Sequence, residues 1–194
     1  MNLRRAARYM GCPQPDERVW ALLKRGEAIV WEAAQPRHVI RRLGAKDFPL
    51  PGEAVRRHLA GCRELLLIAA TLGAGMDQRI RRESLMDMAL GLAVNACAAA
   101  CLEDYLDGLP LPLAPGEYAT PRFSPGYGDL PLTVQTEFLF RVNGKAIGLC
   151  ETAAHMLAPE KSVTALCGVT ASPRAHCPRS CERCPHTGCP FRES

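Results

Sequence analysis

Apolar residues at Val19, Leu22, Leu23, Ile29, Val30 and Ala33 recur with the 3.6-residue period of a helix. Asp16 is its natural N-cap, and Pro36 helps to end it. A short strand is expected over 37–43. Pro51-Gly52 opens a short helix through Leu59, stopped by Gly61. The run Leu65-Leu-Leu-Ile68 is continuously apolar between polar and glycine residues, so 63–71 reads as a buried strand. Gly73-Ala-Gly75 is expected to turn the chain.

The longest element follows. Ser84-Leu-Met-Asp87 has capping-box spacing, and helical sequence continues to about Asp107, where Gly108 and Pro110 stop it. Nearly every face from Met88 to Leu102 is apolar or small, which places this helix at the centre, with its alanines permitting close approach of a neighbouring backbone. Cys97 and Cys101, one turn apart, read as small core residues, the alternative being a ligand pair. Glu103 is the first acid after the buried run. Residues 109–121, rich in proline, read as loop. Thr133–Val142 fits a helix closed by Asn143-Gly144, in preference to a hairpin at that dipeptide. Ile147–Glu151 and Ser162–Val169 look like strands on either side of a turn at Pro159. Helices and strands without regular βαβ alternation point to an α+β domain over 1–169, with a long buried central helix and a mixed or antiparallel sheet.

From about Thr170 the composition changes. The tail, 170–194, holds Cys177, Cys181, Cys184 and Cys189 in the spacing C-x3-C-x2-C-x4-C and one large apolar residue, Phe191. Such a segment has no hydrophobic core of its own, and four closely spaced thiolates would order it around a metal. Tetrahedral thiolate sites suit both zinc and an iron–sulfur cluster, and the spacing does not choose between them. His176 and His186 lie near enough to substitute as ligands.

Across all 194 residues, 47% hydrophobic content supports a substantial core, while a net charge of +4 from scattered arginines does not form a nucleic-acid surface. The basic N-terminus is not followed by an apolar secretion core, and the longest apolar run, Leu65–Leu72, is too short to span a bilayer. No membrane partner is therefore expected, and the setting is expected to be soluble and cytoplasmic. Ten cysteines without an export signal favour reduced thiols plus a metal site over a disulfide scaffold.

The stretch richest in chemistry is Arg122-Phe-Ser-Pro-Gly-Tyr127, continued by Gly128-Asp129. Arg122 offers a planar fork of donors suited to a carboxylate. Pro125 and Gly126 shape a tight turn that lets a ligand approach the main chain, and Tyr127 offers a flat face for stacking. A surface turn with a salt-bridged arginine would use the same residues.

This stretch resembles the R-x-x-P-G-Y signature of the reactivation domain of cobalamin-dependent methionine synthase. Ala70-Thr-Leu-Gly73 with Asp77, the buried helix ending in Glu103, and Pro159-Glu-Lys-Ser-Val-Thr-Ala165 extend the resemblance over about 56–169. Together they look like free-standing relatives of that domain. The resemblance implies binding of S-adenosylmethionine (AdoMet) so that its methyl group meets the cobalt of a corrinoid accidentally oxidised to cob(II)alamin. One electron then makes cob(I)alamin, which takes the methyl group. By motif match, Arg122 would pair with the AdoMet carboxylate. Ser124, Pro125 and Gly126 would line the nucleoside with Tyr127 beside it, and Glu103 would face the amino group or sulfonium. No catalytic side chain is implied, because the cofactors carry the bond-making. The chain departs from the fused enzyme in three ways. It has no D-x-H-x-x-G corrinoid-ligand motif, so cobalamin must arrive on a partner protein. It has no counterpart of a late tyrosine pair, and its cysteine tail is additional. An iron–sulfur cluster there would deliver the electron, in place of or alongside an electron-donor protein. The alternative function is a metal-stapled docking module for a corrinoid protein, without AdoMet chemistry.

Overall fold

The computed structural model describes residues 1–172. Its elements run α1 (Leu3–Tyr9), α2 (Glu17–Ala33), β1 (Arg37–Gly44), α3 (Glu53–His58), β2 (Glu64–Thr71), α4 (Ala74–Met86), α5 (Met88–Asp107), β3 (Tyr118–Ala119), α6 (Gln135–Val142), β4 (Cys150–Glu151), β5 (Leu157–Ala158) and β6 (Ser162–Thr170). The fold is α+β. The main sheet has the order β1-β2-β6-β3 and every pairing in it is antiparallel, which settles the choice between a mixed and an antiparallel sheet.

The apolar run in β2 has a direct explanation. Leu66, Ile68 and Ala70 pack against α1, α2, α4 and α5 on one face, while Leu65, Leu67 and Ala69 pack against α3 and α6 on the other. With helices over both faces, no position on the strand needs to be polar. At the centre of the first layer, α2 and α5 approach closely at Gly26, where a methyl group would stand 3.1 Å from the Ala93 backbone. By length and composition α5 is apolar enough to cross a membrane, yet it is a core helix with Val94, Cys97, Ala98 and Ala100 among its buried residues. Cys97 donates weakly to the Leu23 carbonyl at 3.5 Å, and burial pushes its thiol up to about 12, as expected of a core residue.

Caps fix the helix ends. Asp16 accepts from the Val19 amide at 2.8 Å and begins α2. Asn143, in the left-handed region with φ 55°, ends α6, so the helix is preferred over a hairpin there.

The basic N-terminus, for which no element was expected, forms α1, capped by Asn2. Four expectations are corrected. Residues 109–121 are not all loop, since Tyr118–Ala119 pair with β6 as β3. Gly73-Ala-Gly75 is no turn: Gly73 (φ 84°) precedes α4, and Gly75 lies within it. Asp87 caps α5 by accepting from the Leu90 amide at 3.0 Å, whereas Ser84 sits inside α4 and donates to the Ile80 carbonyl. Over Ile147–Glu151 a 3-10 turn, Gly144–Ile147, comes first, and the strand shrinks to β4, paired with β5 in a separate ribbon.

Candidate functional site

Three anchors hold the loop that follows β3. Phe123 exchanges backbone hydrogen bonds with Leu166 of β6, at 2.9 and 2.8 Å, which fixes Arg122 beside the sheet. The Phe123 ring meets Tyr127 edge-on, with centroids 6.2 Å apart. Beyond it, Tyr127 N–H donates to the Ser124 carbonyl at 3.0 Å and Gly126 N–H to the Leu130 carbonyl at 2.8 Å, closing a turn in which Gly126 has φ +92°. Only glycine takes that angle without strain. Finally, the Asp129 carboxylate accepts from the amides of Glu53 (2.5 Å) and Ala54 (3.1 Å), capping α3, whose own cap position is Gly52. Partial desolvation works against the Asp129 charge, but these amides outweigh it and hold the carboxyl below its ordinary range.

The turn before β6 is tied down in the same way. Asp77, in the first turn of α4, accepts from the amides of Glu160 (2.7 Å) and Lys161 (3.3 Å). Ser162 donates to the Thr71 hydroxyl at 2.8 Å, and Leu72 N–H donates to the Lys161 carbonyl at 2.8 Å.

Between these loops and the end of α5 lies a cavity of about 590 Å³. Glu103, Arg122, Ser124, Pro125 and Tyr127 all line it, whereas Gly126 shapes the loop without lining the cavity. Arg122 Nη2 stands 2.8 Å from Glu103 Oε2 and 2.9 Å from Asp107 Oδ1, the two acids lying one turn apart on α5. Arg122 is 27% exposed and Asp107 50%, so these contacts lie in the cavity wall but remain partly open to solvent. Tyr127 remains 60% exposed, its ring open at the mouth.

The polar lining also includes Asp107, Thr120, Gln135, Ser162, Thr164 and Cys167, of which Ser162 and Thr164 belong to the motif Pro159–Ala165 and the other four were not singled out in the sequence. Thr164 donates to Gln135 Oε1 at 2.7 Å in the buried wall. Burial pushes the Cys167 thiol up to about 11, against the opposing Arg122 charge, so it stays protonated at neutral pH. Asp107 carried a usable signal, four residues after Glu103 on one helix. Thr120, Gln135 and Cys167 carried none. A second cavity of about 720 Å³ shares the wall formed by Gln135, Leu157 and Ser162. The first cavity offers ion pairing, hydrogen bonds and a ring face.

Cys177, Cys181, Cys184 and Cys189 lie outside the described residues. Among the described residues no group of three or more histidines, cysteines or acids is arranged to hold a metal, and Cys12, Cys62, Cys97, Cys101, Cys150 and Cys167 are free thiols.

No family model matches the chain, and no curated protein does. A solved structure does match: the crystal structure of the MetH reactivation domain bound to AdoHcy, at 15% sequence identity and a TM-score of 0.54. The match covers 82% of this chain and 67% of that one. The chain has the fold of the MetH reactivation domain. At this identity the likeness establishes fold, and the use made of the cavity has to be argued from its residues.

Proposed function

We propose that the cavity binds AdoMet and that the protein supports reductive methylation of a corrinoid carried by a partner, such as a methionine synthase core without its own reactivation domain. The observation that carries this reading is the meeting of Glu103, Arg122, Ser124, Pro125 and Tyr127 in one cavity, in a chain with the fold of an AdoHcy-bound reactivation domain. AdoMet presents a carboxylate, an ammonium, a sulfonium and a flat base. Arg122 complements the first, the acids Glu103 and Asp107 the cations, and Tyr127 the base. Ser124 and Pro125, which line the cavity, lie alongside the nucleoside, and Gly126 sets the turn that leads to Tyr127.

On this reading the partner's corrinoid, once reduced by one electron, would supply the cobalt nucleophile that accepts the sulfonium methyl, and the S–CH3 bond would break with its electron pair left on the sulfur of AdoHcy. The chain contributes position and charge pairing. Cys177, Cys181, Cys184 and Cys189 would hold an iron–sulfur cluster or zinc. A cluster would supply the electron, whereas zinc would leave it to an electron-donor protein. The reading places the protein in the cytoplasm with its corrinoid partner.

The test is direct. AdoMet should raise the melting temperature and titrate calorimetrically at a one-to-one ratio. Anaerobic reconstitution with a cob(II)alamin-loaded partner, AdoMet and a reductant should then give the methylcobalamin absorption spectrum. The competing docking-module reading draws on the fact that Arg122 already has two acidic partners, and it expects no AdoMet-dependent thermal shift.

A further inference from the structure

We infer that Asp107, tethered by Arg5 of the N-terminal helix, is the positioning residue for Arg122, and that Glu103 is the partner that lets go when a carboxylate ligand enters. The inference rests on the proposed AdoMet reading for its ligand, though not for its geometry.

The argument begins with the guanidinium. Its two bidentate edges pair Nη2 with Nη1 or with Nε, so both include Nη2. Nη2 carries two hydrogens. In this protein Nη2 donates to Glu103 Oε2 at 2.8 Å and forms an ion pair with Asp107 Oδ1 at 2.9 Å, so two carboxylates already crowd the nitrogen that either grip needs. A ligand carboxylate therefore gains the two-pronged grip only if one acid withdraws.

The two acids are not equivalent. The other oxygen of Asp107, Oδ2, accepts from Arg5 Nη1 at 3.3 Å and Nη2 at 3.4 Å. Arg5 is itself fixed, since its Nη1 donates to Asp104 Oδ1 at 2.9 Å, while the Asn2 amide donates to Asp104 Oδ2 at 2.6 Å. The end of α5 is thus sewn to α1, and Asp107 is held from behind. Glu103 has one more rotatable bond and, among the described residues, Arg122 as its only hydrogen-bond partner. Glu103 is the acid free to swing, and once released it faces the ligand's cationic group. The chain Arg5–Asp107–Arg122 makes α1 part of the binding site although Arg5 does not line the cavity.

The test uses the full chain and the variants Asp107→Asn, Arg5→Gln, Arg5→Lys and the double variant Arg5→Gln/Asp107→Asn. Asp107→Asn should weaken AdoMet binding about tenfold and Arg5→Gln about fivefold. The double variant should be no weaker than Asp107→Asn, and Arg5→Lys should recover affinity to within about twofold of wild type. A merely structural Arg5 would lower the melting temperature without this non-additivity or this rescue. A second readout needs no ligand: the Arg122 guanidinium nitrogens should show hindered rotation by NMR in wild type and in Glu103→Gln, and free rotation in Asp107→Asn and Arg5→Gln. Wild-type affinity in Arg5→Gln, fully additive losses, or hindered rotation persisting in Asp107→Asn would each overturn the inference. Failure of the wild-type protein to bind AdoMet would overturn the proposed function, leaving the relay to be decided by the NMR result.

Discussion

Replacing Arg122 with alanine separates binding from stability, because the structure assigns the two very different magnitudes. In the folded protein Arg122 makes two ion-pair contacts, to Glu103, 33% exposed, and to Asp107, 50% exposed. Pairs this accessible contribute roughly 0.2–1 kcal/mol each after solvent screening. Removing the cation also leaves two carboxylates that stood 2.8 and 2.9 Å from the same nitrogen, repelling by roughly 1–3 kcal/mol before they rotate towards water. The net loss of stability should be about 1 kcal/mol, read as a lowered urea midpoint with an unchanged slope. Binding should suffer more. A ligand carboxylate held in the cavity loses a charge-assisted fork, and at roughly 2–4 kcal/mol AdoMet affinity falls about 30- to 1,000-fold. Arg122→Lys keeps the charge but not the planar fork, and should fall between the two. Calorimetry on all three proteins makes the comparison. The reasoning is refuted if Arg122→Ala binds AdoMet as tightly as wild type. It is refuted equally if the variant loses several kcal/mol of stability, which would make Arg122 a structural arginine.

Asp129→Ala should remove the cap of α3 and cost about 1–2 kcal/mol in urea denaturation; an unmoved midpoint would show that its bonds to Glu53 and Ala54 contribute nothing. Gly126→Ala forces a side chain into φ +92° with its Cβ 3.2 Å from Leu132 Cδ2, so thermal unfolding should report a loss of about 1–2 kcal/mol. The hydrogen bonds of Arg42, followed by the Ala114 amide, lower the Glu117 carboxyl from 4.5 to about 2. Its contribution to stability is therefore complete above pH 4.5 and is lost as the pH falls through about 2. Urea midpoints should drop across that window, and Glu117→Gln should flatten the drop.

What could be read in advance was local. The α2 period, the Asp16 cap and the doubly covered β2 each leave a mark within a few residues, and each is where expected. The N-terminal helix leaves none: it buries only Ala6 and Ala7 and is held by acids a hundred positions away. In α4, Gly73 and Gly75 imitate a turn because glycine permits one, while the helix exists through its packing on α5. The candidate site divides in the same way. Arg122 to Tyr127 were legible because their chemistry is packed into one loop, and Glu103 because it ends an apolar run. Gln135 joins the wall only when the start of α6 meets Thr164 of β6.

The motif residues outside the cavity then acquire a physical role. Asp77 and Asp129 each give a carboxylate to two backbone amides, Asp129 at the start of α3 and Asp77 from the first turn of α4. Bonds of this charged kind contribute about 1.5–3 kcal/mol each where they are shielded, and less at an exposed rim. They pin the loop after β3, which lines the cavity, and the turn before β6, which lines the neighbouring one, while the Phe123–Leu166 bridge pins Arg122 and the Arg5 contact pins Asp107. With Arg122 and Asp107 fixed independently, a ligand does not have to order either in order to bind. The cost falls on one exchange, the Glu103 carboxylate for the incoming one. Because that exchange trades one charge-assisted bond for a fork of two, it favours a ligand carrying both a carboxylate and a nearby cation over one carrying a carboxylate alone.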